Sequence, residues 1–146
     1  MAEGCDFLPL HRTPLICLAP KDFVPANGMY VTATDLEKAT MILQAEGYHT
    51  EIHRYLHIHN LSSHTLCHME VDATCHAYVE GGLGLCITPE MTFHANPRDV
   101  SVWPVRPEVY RVIGLVTAFP DSLPPAAGRL RQEIIQYMTE SGLVNM

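Results

Sequence analysis

Five apolar residues in a row, Leu15-Ile-Cys-Leu-Ala19, stand between Pro14 and Pro20. Each proline fixes its own φ and offers no backbone N–H, so a helix cannot run through either end. What remains is too short for a helix and reads as a buried strand. A strand of this kind needs neighbours and a cover on both faces, and the rest of the sequence supplies candidates.

After a turn-rich stretch from Lys21 to Gly28, Thr34 or Asp35 is placed to cap a short helix ending near Ala39, and Thr40 to Leu43 reads as a second strand. Tyr48, Ile52, Tyr55 and Leu56 recur at helical spacing, and Asn60 with Ser62-Ser63 ends that helix. A third strand is expected over 64–71. Asp72 then caps a helix from Ala73 to Glu80, stopped by Gly81-Gly82, and Leu83 to Thr88 forms a strand closed by Pro89. Val100–Val105 and Val109–Thr117 are two more strands. Pro124-Pro125 opens a last helix with Leu123, Ala127, Leu130, Ile134 and Met138 on one stripe. Strands alternating with short helices predict an α/β fold around a mainly parallel sheet covered on both sides.

With 146 residues the chain fits one domain. Its net charge of −7 gives no basic footprint for a phosphate backbone, so direct binding to DNA is not expected. The longest apolar run falls far short of the roughly 20 residues of a membrane span, and the first residues carry no basic signal-peptide region. A cytoplasmic location without membrane partners follows as the expectation. Cys5, Cys17, Cys67, Cys75 and Cys86 are odd in number and lack Cys-x-x-Cys spacing, so they read as small core residues.

In open parallel sheets, ligands settle beyond the carboxyl ends of strands, beside helix N–H groups that have no partner in the helix. Two strand-to-helix loops fit this rule. In the first, Gln44 can donate and accept, Ala45 and Gly47 leave room for close approach, Glu46 adds a negative charge, and Tyr48 can lie flat on a ligand. The second runs from Glu70 to Thr74, with Asp72 and Thr74 as its polar groups. The plain alternatives are a surface turn and a simple helix cap.

His49, His53 and His57 recur every four residues, a spacing at which imidazoles can share a zinc or nickel ion. The competing account is a polar helix face that happens to be rich in histidine. The adjacent pairs Cys67-His68 and Cys75-His76 are not pre-set for proton transfer, because neighbours on a strand or helix point in different directions. Gly81-Gly82-Leu83-Gly84 follows a helix and does not open one, so it is no phosphate cradle. Neither enzymatic activity nor a cofactor is expected.

Three segments together resemble a known family: Pro14–Pro20, Val71–Pro89 with its Val-Glu-Gly-Gly-Leu-Gly core, and Ser122-Leu-Pro-Pro-Ala-Ala127. They are similar to the effector-binding (LysR substrate-binding) domain of LysR-type bacterial transcription regulators, in order along almost the whole chain. The resemblance implies a type 2 periplasmic-binding-protein fold: two α/β lobes, two crossover strands, and a small-molecule effector in the cleft. Residues 24–107 would form a complete second lobe, while 14–20 and 109–146 would supply the crossovers and a remnant of the first. The winged helix-turn-helix, the linker helix and the first half of lobe one have no counterpart here, so DNA would be bound only through another part of a parent protein. Exposed crossover surface would cost roughly 1.5–3 kcal/mol per large apolar side chain. Self-association through Leu15–Ala19, Val112–Val116 and the Leu123 stripe is therefore expected.

Overall fold

The computed structural model describes residues 4–44, 50–61, 65–69 and 72–144, with the backbone alone at 65–69. Its elements in chain order are β1 (Cys5–Ala19), α1 (Ala33–Glu37), β2 (Met41–Gln44), α2 (Thr50–Ile58), β3 (Thr65–Met69), α3 (Asp72–Glu80), β4 (Cys86–Pro89), α4 (Glu90–Ala95), β5 (Ser101–Pro104), β6 (Tyr110–Ala118) and α5 (Pro125–Glu140). They form two compact units: a larger one of Thr13–Arg111, and a smaller one joining Met1–Arg12 to Val112–Met146. The chain passes from one to the other within β1 and again within β6.

In the larger unit β1 lies between β4 and β5 and runs antiparallel to both, with Cys17 opposite Ile87 on one side and Trp103 on the other. β2 and β3 pair in parallel, and a parallel bridge joins Met41 to Leu85. β2, β3, β4 and β5 thus share one direction and β1 opposes them. This corrects the expectation of a mainly parallel sheet, since the ladders through its centre are antiparallel. The physical reason is that an unbroken apolar run reports burial on both faces and carries no information on direction. Direction is set by connectivity, and β1 enters from the smaller unit.

Alternation along β1 divides the core in two. Leu15, Cys17 and Ala19 face a cluster completed by Leu36 of α1, Met41 and Leu43 of β2, and Ile52, Tyr55 and Leu56 of α2. Ile16 and Leu18 face the other way, onto Ile42, Cys75 and Val79 of α3, Cys86, and Phe93 of α4. Each large side chain so buried contributes roughly 1.5–3 kcal/mol. Cys17, Cys75 and Cys86 are buried, as expected of core residues, whereas Cys5 is only half-buried and the side chain of Cys67 lies outside the described residues. Leu15–Ala19 are buried inside the larger unit between β4 and β5, so this part of the expected self-association surface is withdrawn.

Local details depart from the sequence reading at three places. β1 starts at Cys5, well before Pro14. The cap of α1 is Thr32, not Thr34 or Asp35: the Thr32 backbone N–H and hydroxyl both donate to the Asp35 carboxylate, at 2.9 and 2.7 Å. The short helix α4 is not expected from the sequence, where Pro89 signals only the end of a strand; the extended backbone of Pro89 also makes it the N-cap residue of that helix.

The smaller unit is thin. β6 pairs with β1, and at Gly114 a Cβ would lie 2.3 Å from the Leu8 carbonyl oxygen, so only glycine permits this approach. Leu10 and Thr117 are its only buried residues among those described, and α5 has none.

At Gly84 a Cβ would come within 2.5 Å of the Thr40 carbonyl oxygen, and backbone cannot swing aside as a flexible side chain can. Gly84→Ala is expected to destabilise the protein by about 1–3 kcal/mol in urea unfolding. Gly81→Ala, where the nearest atoms are at 3.5 Å, serves as the control with little change.

Candidate functional site

The shared direction of β2 to β5 brings their carboxyl ends to one edge of the sheet. Gln44 pairs with Met69 across the β2–β3 ladder, so the carboxyl ends of these two strands are neighbours. Pro89 and Pro104, at the ends of β4 and β5, lie opposite Leu15 and Ile16 of β1.

Gln44 is 1 % exposed. Its Nε2 donates to the Ile87 carbonyl oxygen at 3.5 Å and lies 3.7 Å from Cys86 Sγ, while Oε1 has no hydrogen-bond partner among the described residues. Its own carbonyl oxygen accepts from His53 Nε2 at 3.0 Å. Ala45, Glu46, Gly47 and Tyr48, with His49, Glu70 and Val71, lie outside the described residues. Asp72 is half-buried in the first turn of α3 and Thr74 is exposed.

Groups that single-residue reading did not select share this edge. Thr13 and Thr88 are buried; Thr13 Oγ1 accepts from the Met91 backbone N–H at 3.2 Å, and Thr88 Oγ1 pairs with His76 Nε2 at 3.3 Å. Arg111 donates through Nε and Nη2 to Glu51 Oε1, tying β6 to the start of α2. A cavity of about 270 Å³ beside the β5 end is walled by Leu15, Pro104, Val105 and Arg106, with Glu90 and Glu108 at its polar side. Arg106 pairs with Glu108 at 2.6 Å, and its guanidinium lies 5.9 Å from the Tyr30 ring centroid. None of these positions carries a sequence signal of its own; what groups them is the register of β1 with β4 and β5.

Among the described residues, His53 and His57 of the histidine row are part of no metal centre. His53 spends Nε2 on the Gln44 carbonyl, His57 is exposed, and no group of three potential ligands occurs among the described residues. The Cys75-His76 pair is also unsuited to nucleophilic chemistry. Both are fully buried and His76 turns to Thr88; the Cys75 thiol is engaged with Cys86, a hydrogen bond that holds Cys75 below its ordinary value and Cys86 well above it.

A two-unit α/β protein crossed twice by its own strands, with polar groups gathered where strands end, belongs to the class of ligand-binding regulatory domains with a type 2 periplasmic-binding-protein-like fold. The model of the LysR substrate binding domain matches residues 1–139, and the chain belongs to that family. No curated protein matches the sequence. Among solved structures, the effector-binding domain of QuiR in complex with shikimate is similar at 20% identity and TM-score 0.78, covering 96% of this chain and 69% of its own. The regulatory domain of CcmR from Synechocystis PCC6803 in complex with 2-PG is similar at 13% identity and TM-score 0.80, covering 94% and 70%. Full-length BenM carrying E226K matches at 16% identity and TM-score 0.79, over 99% of this chain and 50% of that protein. At such identities the likeness is one of fold. No helix among the described residues is long and apolar enough to cross a membrane.

Burial lowers the His76 pKa from 6.5, against the opposing pull of Asp72. The unfolded chain accepts a proton that the folded one resists, so stability is full above about pH 6.5 and declines as the pH falls below it. His76→Gln is expected to flatten this decline, read from urea midpoints between about pH 7 and pH 5. An unchanged slope would remove His76 from the account.

Proposed function

We propose that this chain senses a small-molecule effector at the carboxyl edge of β2 and β3, as the regulatory domain of a LysR-type transcription regulator, and acts by binding without catalysis. The observation that carries this reading is Gln44: a buried amide whose Nε2 is directed to Ile87, leaving Oε1 an acceptor with no partner among the described residues at the strand end beside the β3 terminus. An unsatisfied buried acceptor is costly, and a donor on a bound molecule relieves that cost. Ala45, Glu46, Gly47 and Tyr48 would form one wall of the site, Asp72 and Thr74 the other. That QuiR was solved with shikimate and CcmR with 2-PG supports a small molecule as the occupant.

Glu46 and Asp72 bring two carboxylates to this rim, which disfavours an anion unless cationic groups elsewhere offset them. The proposed effector is accordingly neutral or amine-bearing. Its binding shifts the population among conformations of the domain. DNA would be reached through a separate segment of a parent regulator, within the cytoplasm and without a cofactor.

Isothermal titration against amines, neutral polyols and carboxylic acids tests the reading. An amine or neutral compound is expected to bind, and Gln44→Leu to weaken it by roughly tenfold or more, as for a lost buried hydrogen bond. Tight binding to aromatic or dicarboxylic acids alone overturns the effector class. Undiminished affinity in a folded Gln44→Leu protein overturns the site.

A further inference from the structure

Cys75 of α3 and Cys86 of β4 are both 0 % exposed, belong to one apolar cluster, and hydrogen-bond thiol to thiol. Cys86 Sγ also lies 3.6 Å from the Ile87 carbonyl oxygen, and Gln44 Nε2 approaches it to 3.7 Å as a donor. Cys17 is equally buried, but it belongs to the cluster on the other face of β1 and turns its thiol to the Leu18 carbonyl oxygen. Filling space asks only that Cys75 and Cys86 be buried; it does not ask that their sulfurs meet.

We propose that Cys75 and Cys86 form a two-coordinate site for a soft monovalent cation, Cu(I) or its chemical relative Ag(I), held between two thiolates. Two S–H bonds give way to two sulfur–metal bonds, two protons leave to solvent for each ion, and no electron is transferred. The site is independent of the effector proposed above, and its test needs none.

The donor set selects the kind of ion. Thiolates are the soft ligands that favour Cu(I). Among the described residues no third histidine, cysteine or carboxylate completes a larger group, so zinc, which takes four ligands, is not served, and calcium and magnesium lack their oxygens. Charge selects the valence. A hydrogen-bonded thiol pair that has lost one proton holds a single negative charge, shared through the proton that remains. A monovalent ion in place of that proton leaves the charge as it was. Donors are already aimed at it: the Cys75 backbone N–H, in the first turn of α3 where such groups lack helical partners, and Gln44 Nε2. The Asp72 carboxylate opposes them. Place supplies the route. Cys75 in the first turn of α3 and Gln44 at the end of β2 put the buried pair just inside the carboxyl edge of the sheet.

The test is a titration of the reduced, anaerobic protein with Cu(I) in competition with bathocuproine disulfonate, followed by X-ray absorption of the bound copper. One equivalent is expected to be retained, with two sulfur ligands, and with an affinity that rises with pH because protons are released. Cys75→Ala and Cys86→Ala, checked for folding by circular dichroism, are each expected to weaken binding by at least roughly a hundredfold. The double variant Cys5→Ser/Cys67→Ser is expected to bind as the parent does. Copper surrendered in full to the competitor overturns the proposal, as does undiminished binding by a folded Cys75→Ala or Cys86→Ala protein, or its loss in Cys5→Ser/Cys67→Ser. Where the alanine variants do not fold, the ligand count in the parent and in Cys5→Ser/Cys67→Ser decides: two sulfurs in both support the site, and any other set overturns it.

Discussion

Two-sided burial of β1 is the constraint on which the rest of the larger unit depends. Leu15, Cys17 and Ala19 need cover from α1 and α2, while Ile16 and Leu18 need it from α3 and α4. Neither helix layer could be dispensed with, because each closes one face of the same strand. The alternation also fixes register, since a slip by one residue would exchange the two sets of contacts. From register follows the meeting of strand ends: Pro89 and Pro104 are held opposite consecutive residues of β1, and the polar groups beyond them converge.

The candidate edge is accordingly a product of the sheet and not of a motif. Gln44 would be an unremarked surface amide were it not at the end of a fully buried strand, packed against the carbonyl of Ile87. His53 shows the same dependence in reverse. Its spacing in the sequence suggests a metal ligand, yet its position on α2 turns it into a hydrogen-bond donor to the Gln44 backbone.

What could be read from the sequence was what depends on local chemistry. Apolar runs closed by Pro20 and Pro89 located the last third of β1 and β4, and the Ile52, Tyr55, Leu56 set located the buried side of α2. The glycine pair after Glu80 marked the end of α3. Strand direction escaped, because Leu15 to Ala19 would read the same in either sense. Thr32 escaped as a cap because its partner is the carboxylate of Asp35, itself the obvious candidate. Arg106, Glu108 and Glu90 gave no signal, since only the approach of β5 to β1 and the turn after β4 puts them around one cavity.

The passage of the chain through β1 and β6 has a consequence for how the molecule must form. Leu15 N–H donates to the Val109 carbonyl oxygen at 2.8 Å, so the two ends of the larger unit are fastened together. Joining Leu8 to Gly114 in a disordered chain would mean closing a loop of roughly a hundred residues, with an entropic penalty that grows with length. Once the contiguous segment has condensed, those ends are already neighbours and the penalty has been met. The connectivity thus favours organisation of the continuous unit before the discontinuous one.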